Sequence, residues 1–244
     1  GWIYLAIHIF AAGELITVAN DALEYHIDSG SGHFATVSPA VLELNGHKLT
    51  FGGTSTRIGF NDVAVNDSAG TGEIVFEPLD GGVRLVRFLG TSMACAVPIT
   101  FEGDSKIRFY NSCAPIPAPV TSRGSLTFDC DSASGKGAGL TDAYNNWTGD
   151  ITFTTAGSVL GFAPSAEGYQ VTVSGVVSGP AGLQVGSSGT PASGIVRLKG
   201  HNTYTGASEV WGTSGLAVLV DESDSIADPA KLTVHGGMVV PYVA

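Results

Sequence analysis

Two short acidic pairs are the residues whose type and spacing could do chemistry in this chain. In "FDCDS" Asp129 and Asp131 stand two apart, and in "FEGDS" Glu102 and Asp104 repeat that spacing. On an extended strand the spacing puts both carboxylates on one face. If the pairs lie on neighbouring strands they could hold Ca²⁺, or act as the acid and base of a sugar hydrolysis. The plainer reading is that outward strand positions of an acidic protein are often Asp or Glu, solvated and idle, and that is the expectation. "VDESD" at 220–224 gathers four potential oxygen ligands. It lacks the Asp-x-Asp-x-Asp-Gly loop and the Gly-Gly-x-Gly-x-Asp tandem of specific Ca²⁺ sites, so a solvated loop is expected. No Gly-x-Ser-x-Gly occurs. The sequence therefore assigns no catalytic, cofactor-binding or metal-binding residue, and the chain is expected not to be an enzyme.

The remaining reactive types are dispersed. Cys95, Cys113 and Cys130 are 18 and 17 residues apart, unlike the close pairs of a zinc site. On stacked coils about 4.8 Å apart, such residues could reach disulfide distance. A Cys95–Cys113 or Cys113–Cys130 bond stays open, with a stack of inert buried thiols the favoured reading. His47 and His201 each follow Gly at similar corners and are expected to serve the turn. "NNWTG" fits a glycosylation acceptor at Asn146, of no consequence in a bacterial chain. Trp147, Trp211 and Tyr204 could be exposed for glycan stacking, but core or corner packing is the commoner fate.

The elements that must position these residues are short strands. Gly is 34 of 244 residues and charged residues are only 14%. Runs such as "KLTFG", "VRLVRFL", "SKIRFY" and "SLTFDC" alternate apolar and polar residues, the period of a half-buried strand. Helix start signals are absent apart from one turn near "ESDSIADPAKL". With a net charge of −11 and 11 scattered Lys and Arg, no nucleic-acid partner is expected; the acidity reads as a solubility device. "WIYLAIHIF" is too short for a membrane helix and reads as a buried first strand rather than a signal remnant. The segments "APIPAP" (114–119) and "DSASGKGAG" (131–139) read as loops bulging from one continuous body.

Two distant segments share a design. Setting "AVLELNGHKLTFGGTS" (40–55) over "GIVRLKGHNTYTGASE" (194–209) aligns Leu44 with Leu198, Gly46 with Gly200, His47 with His201 and Gly52 with Gly206. The offset of 154 residues would hold seven repeats of 22. "LNGHKL" alone signals a type I′ hairpin, which leads to an antiparallel β-sandwich. "KGHNTYTG" is too long for such a turn and fits a short pass between two corners. The all-β fold that accommodates both is a single-stranded right-handed parallel β-helix.

The stretch "LKGHNTYTGASEV", followed by "GLAVLV" and "DSIADPAKLTVHGG", resembles the autotransporter passenger-associated repeat. Leu198, Gly200, Asn202, Thr203, Tyr204, Thr205 and Gly206 match its Leu-x-Gly-x-Asn-Thr-Tyr-Thr-Gly pattern, with Val210, Gly215, Leu216 and Val218 continuing. "VLELNGHKLTFGG" and "VSGVVSGPAGLQV" (173–185) are similar to related segments, and the clearest match spans 170–240. The resemblance implies a right-handed β-helix in a secreted or surface-displayed bacterial protein, without catalytic residues in the repeat. The three cysteines, the Pro-rich segment and the absence of a membrane-barrel segment depart from the family. The Asp-Asp pair and Arg-x-Lys of polygalacturonases, which are also β-helices, are missing.

The expectation is one β-helix domain over 1–244, with about ten or eleven coils of 20–25 residues. Its role would be a structural or adhesin-type element, extracellular or on a bacterial cell surface. It would use no cofactor, insert in no membrane, self-associate through its terminal coils and present its sides to a host surface or glycan. A carbohydrate-degrading enzyme and a glycan-binding module are the alternatives. The apolar stretches "WIYLAIHIF" and "GGMVVPYVA" are the expected contacts, because end strands of a coil stack are unpaired.

Overall fold

The computed structural model describes residues 3–4, 15–18, 24–26, 35–37, 41–53, 57–110, 112–130, 143–164, 169–213, 217–220, 225–228 and 231–241. Strands that follow one another in sequence do not pair. Lys48–Gly52, Arg57–Asn61 and Ala64–Asn66 are one coil, and each pairs with the strand one coil later: Glu73–Phe76, Arg84–Leu89 and Ala94–Cys95. Every pair of named strands is parallel, with eight strands on the first face and nine on the second. The fold is a right-handed parallel β-helix, and the antiparallel sandwich is excluded. Among the described residues no helix is long and apolar enough to cross a membrane.

The type I′ signal at Asn45–Gly46 is real but makes a corner. Asn45 (φ 50°) and Gly46 (φ 80°) both adopt the left-handed conformation that such a turn demands. The His47 N–H closes the turn on the Leu44 carbonyl at 3.0 Å. The flanking strands Val41–Glu43 and Lys48–Gly52 then diverge onto different faces. At the other end, His201 to Gly206 forms no regular strand yet stacks on the coil before it. Thr203 and Thr205 donate backbone N–H groups to the Val177 and Gly179 carbonyls at 2.8 and 3.0 Å. From Val41 to Ile195 (195 − 41 = 154 residues) the third face takes six steps rather than seven: to Ala64, Ala94, the Cys113–Ile116 pass, Asn146, Thr172 and Arg197. Each coil thus uses nearer 26 residues than 22, so the longest ladder has nine strands where ten or eleven coils were expected.

The "APIPAP" segment is not a bulging loop. Ile116 and Ala118 are fully buried, and the Ile116 N–H donates to the Asn146 carbonyl at 2.9 Å. The segment is a pass of the third face whose prolines cannot donate to the ladder. The third face accordingly splits into a four-stranded sheet ending at Ala94–Cys95 and a five-stranded one starting at Asn146–Trp147.

Inward positions form ladders along the axis. Phe51, Phe76 and Phe101 are register partners with ring centroids 5.3 and 5.1 Å apart, nearly parallel. Phe60 and Phe88 stack at 5.5 Å on the second face. Trp147 closes the third side, edge-on to Phe88 and Phe128 at 5.6 and 5.7 Å. Aromatic pairs at such distances contribute roughly 0.5–1.5 kcal/mol beyond their buried area. These short Phe ladders run through a core that is otherwise mainly Val, Leu, Ile, Met, Cys and Ala.

Candidate functional site

Asp129 lies on the second face, directly opposite Arg108 one coil earlier. Its side chain is only 3% exposed. Arg108 donates from both Nε (3.1 Å) and Nη2 (2.7 Å) to one carboxylate oxygen, Oδ2, and Lys106 Nζ stands 3.7 Å from the same atom. Oδ1 is buried and has no hydrogen-bond partner. Burial raises the Asp129 pKa, and Arg108 and Lys106 pull it back only in part. This carboxylate is therefore neither solvated nor idle, as the sequence suggested; it holds two cations in place.

Among the described residues, Glu102 and Asp104 do not converge on Asp129. Asp104 borders the strand Ser105–Tyr110 at its start, and its Oδ1 accepts the Ser125 N–H at 2.8 Å. Ser125 is four residues from Asp129, roughly 13 Å along a strand. Glu102 is occupied by Arg123 at 2.7 Å. The separation of Asp104 from Asp129 exceeds the roughly 5–9.5 Å that glycoside hydrolysis uses. Asp131 and Asp221 to Asp224 lie outside the described residues.

Other carboxylates serve the corners, which sequence reasoning missed. Asp67 accepts the N–H groups of Gly46 (2.6 Å) and Gly72. Burial raises its pKa, but the N–H groups of Gly72, Gly46, Ala69 and Gly70 outweigh this and hold it below the usual range. Glu43 accepts from the Ser68 and Asn45 N–H groups, which lower its pKa as well. Both line a corner groove of about 540 Å³ beside Val97 and Pro98. Asp62 accepts the Ser92 N–H at 2.9 Å and Asp150 the Val176 N–H at 2.9 Å, each from the following coil. Asn202 spans three coils: its Oδ1 accepts the Val177 N–H at 2.7 Å and its Nδ2 donates to the Ser225 carbonyl at 2.6 Å. That is the physical role of the Asn in "NTYTG".

A buried cation does the complementary work. Arg84 is fully buried, and its guanidinium donates to the carbonyls of Glu77 (2.8 Å), Gly53 (3.2 Å) and Pro78 (3.4 Å). Burial lowers its pKa, and Glu77 opposes that. The alternation of "VRLVRFL" puts Arg84 on the same side as Val86 and Phe88, but its partners come from corners that only the register identifies.

The aromatic candidates are not a stacking row. Trp147 is buried and donates Nε1–H to the Ala118 carbonyl at 2.9 Å. Tyr204 is buried with its hydroxyl 2.9 Å from Ser208 Oγ. Trp211 is half-buried, donates to Glu209 and stacks on His235 with centroids 3.5 Å apart. Asn146 is buried, its Oδ1 accepting from Ser174 Oγ at 2.9 Å, so the acceptor of "NNWTG" is enclosed in the folded coil. The cysteines do not form one stack. Cys95 and Cys113 belong to the third face and Cys130 to the second, and all three are free and buried. Burial pushes the Cys95 and Cys113 thiols up to about 12.

Comparison with protein-family models gives no match for this chain, and comparisons with curated proteins and with solved structures give none either.

Proposed function

We propose that the chain is a non-catalytic structural element of the extracellular space or bacterial cell surface, an adhesin-type solenoid that self-associates end to end. The observation that carries this is the final pass. Among the described residues, Leu232–Gly236 is the last strand of the nine-stranded sheet and Met238–Pro241 the last of the five-stranded one, each paired on one side. Val234 (46% exposed) and Met238 (55% exposed) sit on these strands, where earlier coils bury Val210 completely. A parallel edge with apolar side chains can take another parallel pass from a second copy.

The use of acidic groups supports the same reading. Glu43, Asp62, Asp67, Asp104 and Asp150 are bonded to backbone N–H groups, which spends them on rigidity. The motif likeness to autotransporter repeats agrees with a surface location and a passive role. Electron microscopy of the purified chain over a concentration series tests the proposal. Rods that lengthen with concentration are expected, and Met238→Lys with Val234→Lys should shorten them. Monodisperse short rods at every concentration, unchanged by those substitutions, would refute end-to-end joining.

A further inference from the structure

The outward column at the centre of the first face repeats one chemistry. Register aligns Thr100 with Thr121, Thr121 with Thr152 and Thr152 with Ser178. Thr203 continues the series. Its N–H and that of Thr205 bond the Val177 and Gly179 carbonyls, as Thr154 bonds the Ser122 carbonyl one place beyond the pair Ser122–Phe153. Five successive coils therefore carry a hydroxyl at one position, with steps of about 4.8 Å. Thr152 and Thr203 are exposed and Thr121 and Ser178 half-buried, whereas the flanking Val120, Ile151, Val177 and Asn202 are buried. Thr100 is turned to Glu73, and the Thr152 and Ser178 hydroxyls meet at 3.2 Å. A second exposed hydroxyl stands two residues on, at Thr154 and Thr205, about 6.7 Å along the strand. Thr is a good strand former, which explains each residue singly. It does not explain the run, because the same column accepts Val75 one coil before Thr100.

We infer that this hydroxyl strip binds the surface of ice. Its two spacings, one across the strands and one along them, lie close to the repeats of water oxygens on a prism face of hexagonal ice. A β-branched Thr is stiff at χ1, so a rank of them holds methyl and hydroxyl groups in fixed alternation at little entropic cost. Waters held between hydroxyls at a constant step are nearly as well bonded as in a direct contact, and a lattice can adopt them. The partner must be neutral, because the column carries no charge on a chain of net charge −11. The charged groups beside it are engaged at the corners: Asp150 accepts the Val176 N–H and Arg123 pairs with Glu102. A soluble glycan is held by apolar and aromatic lining with a few convergent polar groups. Here Tyr204 and Trp147 are buried, and the hydroxyls stand in a row rather than converging. The corner glycines Gly149, Gly175 and Gly200 keep the coils in close contact beside the strip, which holds its step constant. This assignment goes beyond the structural role proposed above and does not rest on it, since it concerns the side of the solenoid rather than its ends.

The test measures thermal hysteresis and capture of the full chain by slowly growing ice, with retention on microcrystalline cellulose as the comparison. Hysteresis and enrichment in the ice fraction are expected, without retention on cellulose. Thr152→Lys with Thr203→Lys puts two long charged side chains into the strip and should abolish both effects. Gln184→Lys with Thr190→Lys makes the same change of charge elsewhere and should leave them unaltered. Circular dichroism checks that both double variants fold. Ser178→Thr completes the row of methyl groups and should raise the hysteresis, a gain that a folding defect cannot imitate. Four results overturn the inference: the wild type shows neither hysteresis nor capture, the two double variants lose activity equally, Ser178→Thr brings no gain, or cellulose rather than ice retains the chain through Thr152 and Thr203. None of these bears on whether rods lengthen with concentration, so this reading and the end-to-end reading fail separately.

Discussion

Substituting Gly175 by Ala tests the closeness of the coils. Gly149, Gly175 and Gly200 stand above one another at the corner between the third and first faces. None of them needs a positive φ. Space is the constraint: a Cβ on Gly175 would lie 2.0 Å from the Gly149 carbonyl oxygen, and one on Gly200 would lie 2.3 Å from the Gly175 oxygen. Real Cβ atoms essentially never approach closer than 3.0 Å, so the corner must open by about 1 Å. The bonds beside it are Ser174 N–H to the Trp147 carbonyl at 2.8 Å and Ile151 N–H to the Val176 carbonyl at 2.8 Å. An opening of that size breaks both, at about 1–3 kcal/mol each. Strain from overpacking adds about 1–3 kcal/mol.

The expected loss for Gly175→Ala is thus about 3–9 kcal/mol, or a fall in melting temperature of roughly 6 °C or more for a chain of this size. Urea and thermal unfolding followed by circular dichroism measure it, and amide exchange at Ser174 and Gly175 locates it. Gly200→Ala should behave alike. Gly189 has nothing within 4 Å of its would-be Cβ and no positive φ, so Gly189→Ala should be neutral or stabilising by about 0.5 kcal/mol. A loss below about 1 kcal/mol for Gly175→Ala, with its neighbouring amides still protected, would show that the coils are not in contact here.

The corner carboxylates carry a pH dependence of known sign. Glu43 and Asp67 are held below their ordinary pKa, so their contribution is present at neutral pH and is lost as pH falls through the depressed values. The stability gap between the wild type and Asp67→Ala should shrink below about pH 4, and a gap that stays constant to pH 2 would contradict the linkage. The same carboxylate protects Asn45–Gly46. Deamidation requires the Gly46 nitrogen to attack the Asn45 side chain, but its N–H is donated to Asp67 at 2.6 Å. Asn45 should survive prolonged incubation in the wild type and deamidate in Asp67→Ala; mass spectrometry showing equal rates would refute that protection. Cys95 and Cys113, with thiols near 12, and buried Cys130 should ignore a disulfide reagent at pH 8 and react after denaturation. Rapid labelling of the native chain would mean that the coils breathe.

The fold was legible because the strand period and the corner residues are local. "LNGHKL" specified its own turn, and the Asn202 and Tyr204 of "NTYTG" are buried at a corner. Whether that turn made a hairpin or a corner was not local, since it depends on where Val41–Glu43 and Lys48–Gly52 find partners 21 or more residues away. Coil number went astray for a related reason: coil length varies from step to step, as in 120 to 151 against 99 to 120. The candidate site was less legible still. The alternation of "SKIRFY" places Lys106 and Arg108 on one side, but their meeting with Asp129 needs the register between strands, which no single segment encodes. Asp129 and Glu102 look equivalent in sequence, yet one is enclosed beneath two cations and the other pairs with a single Arg at a corner.

The division of charge follows from the architecture. A coil that turns at every face leaves N–H groups at its corners pointing away from the ladder, and each buried one needs an acceptor. Asp, Glu and Asn supply acceptors on short side chains, and Glu43, Asp62, Asp67, Asp104, Asp150 and Asn202 are used in this way. A solenoid built by that rule accumulates negative charge with every coil, whatever its partner. Acidity here is therefore a property of the scaffold rather than a sign of what it binds. Positive charge is likewise spent inside the scaffold: Arg84 donates to three corner carbonyls, Arg108 and Lys106 share Asp129, and Arg123 pairs with Glu102.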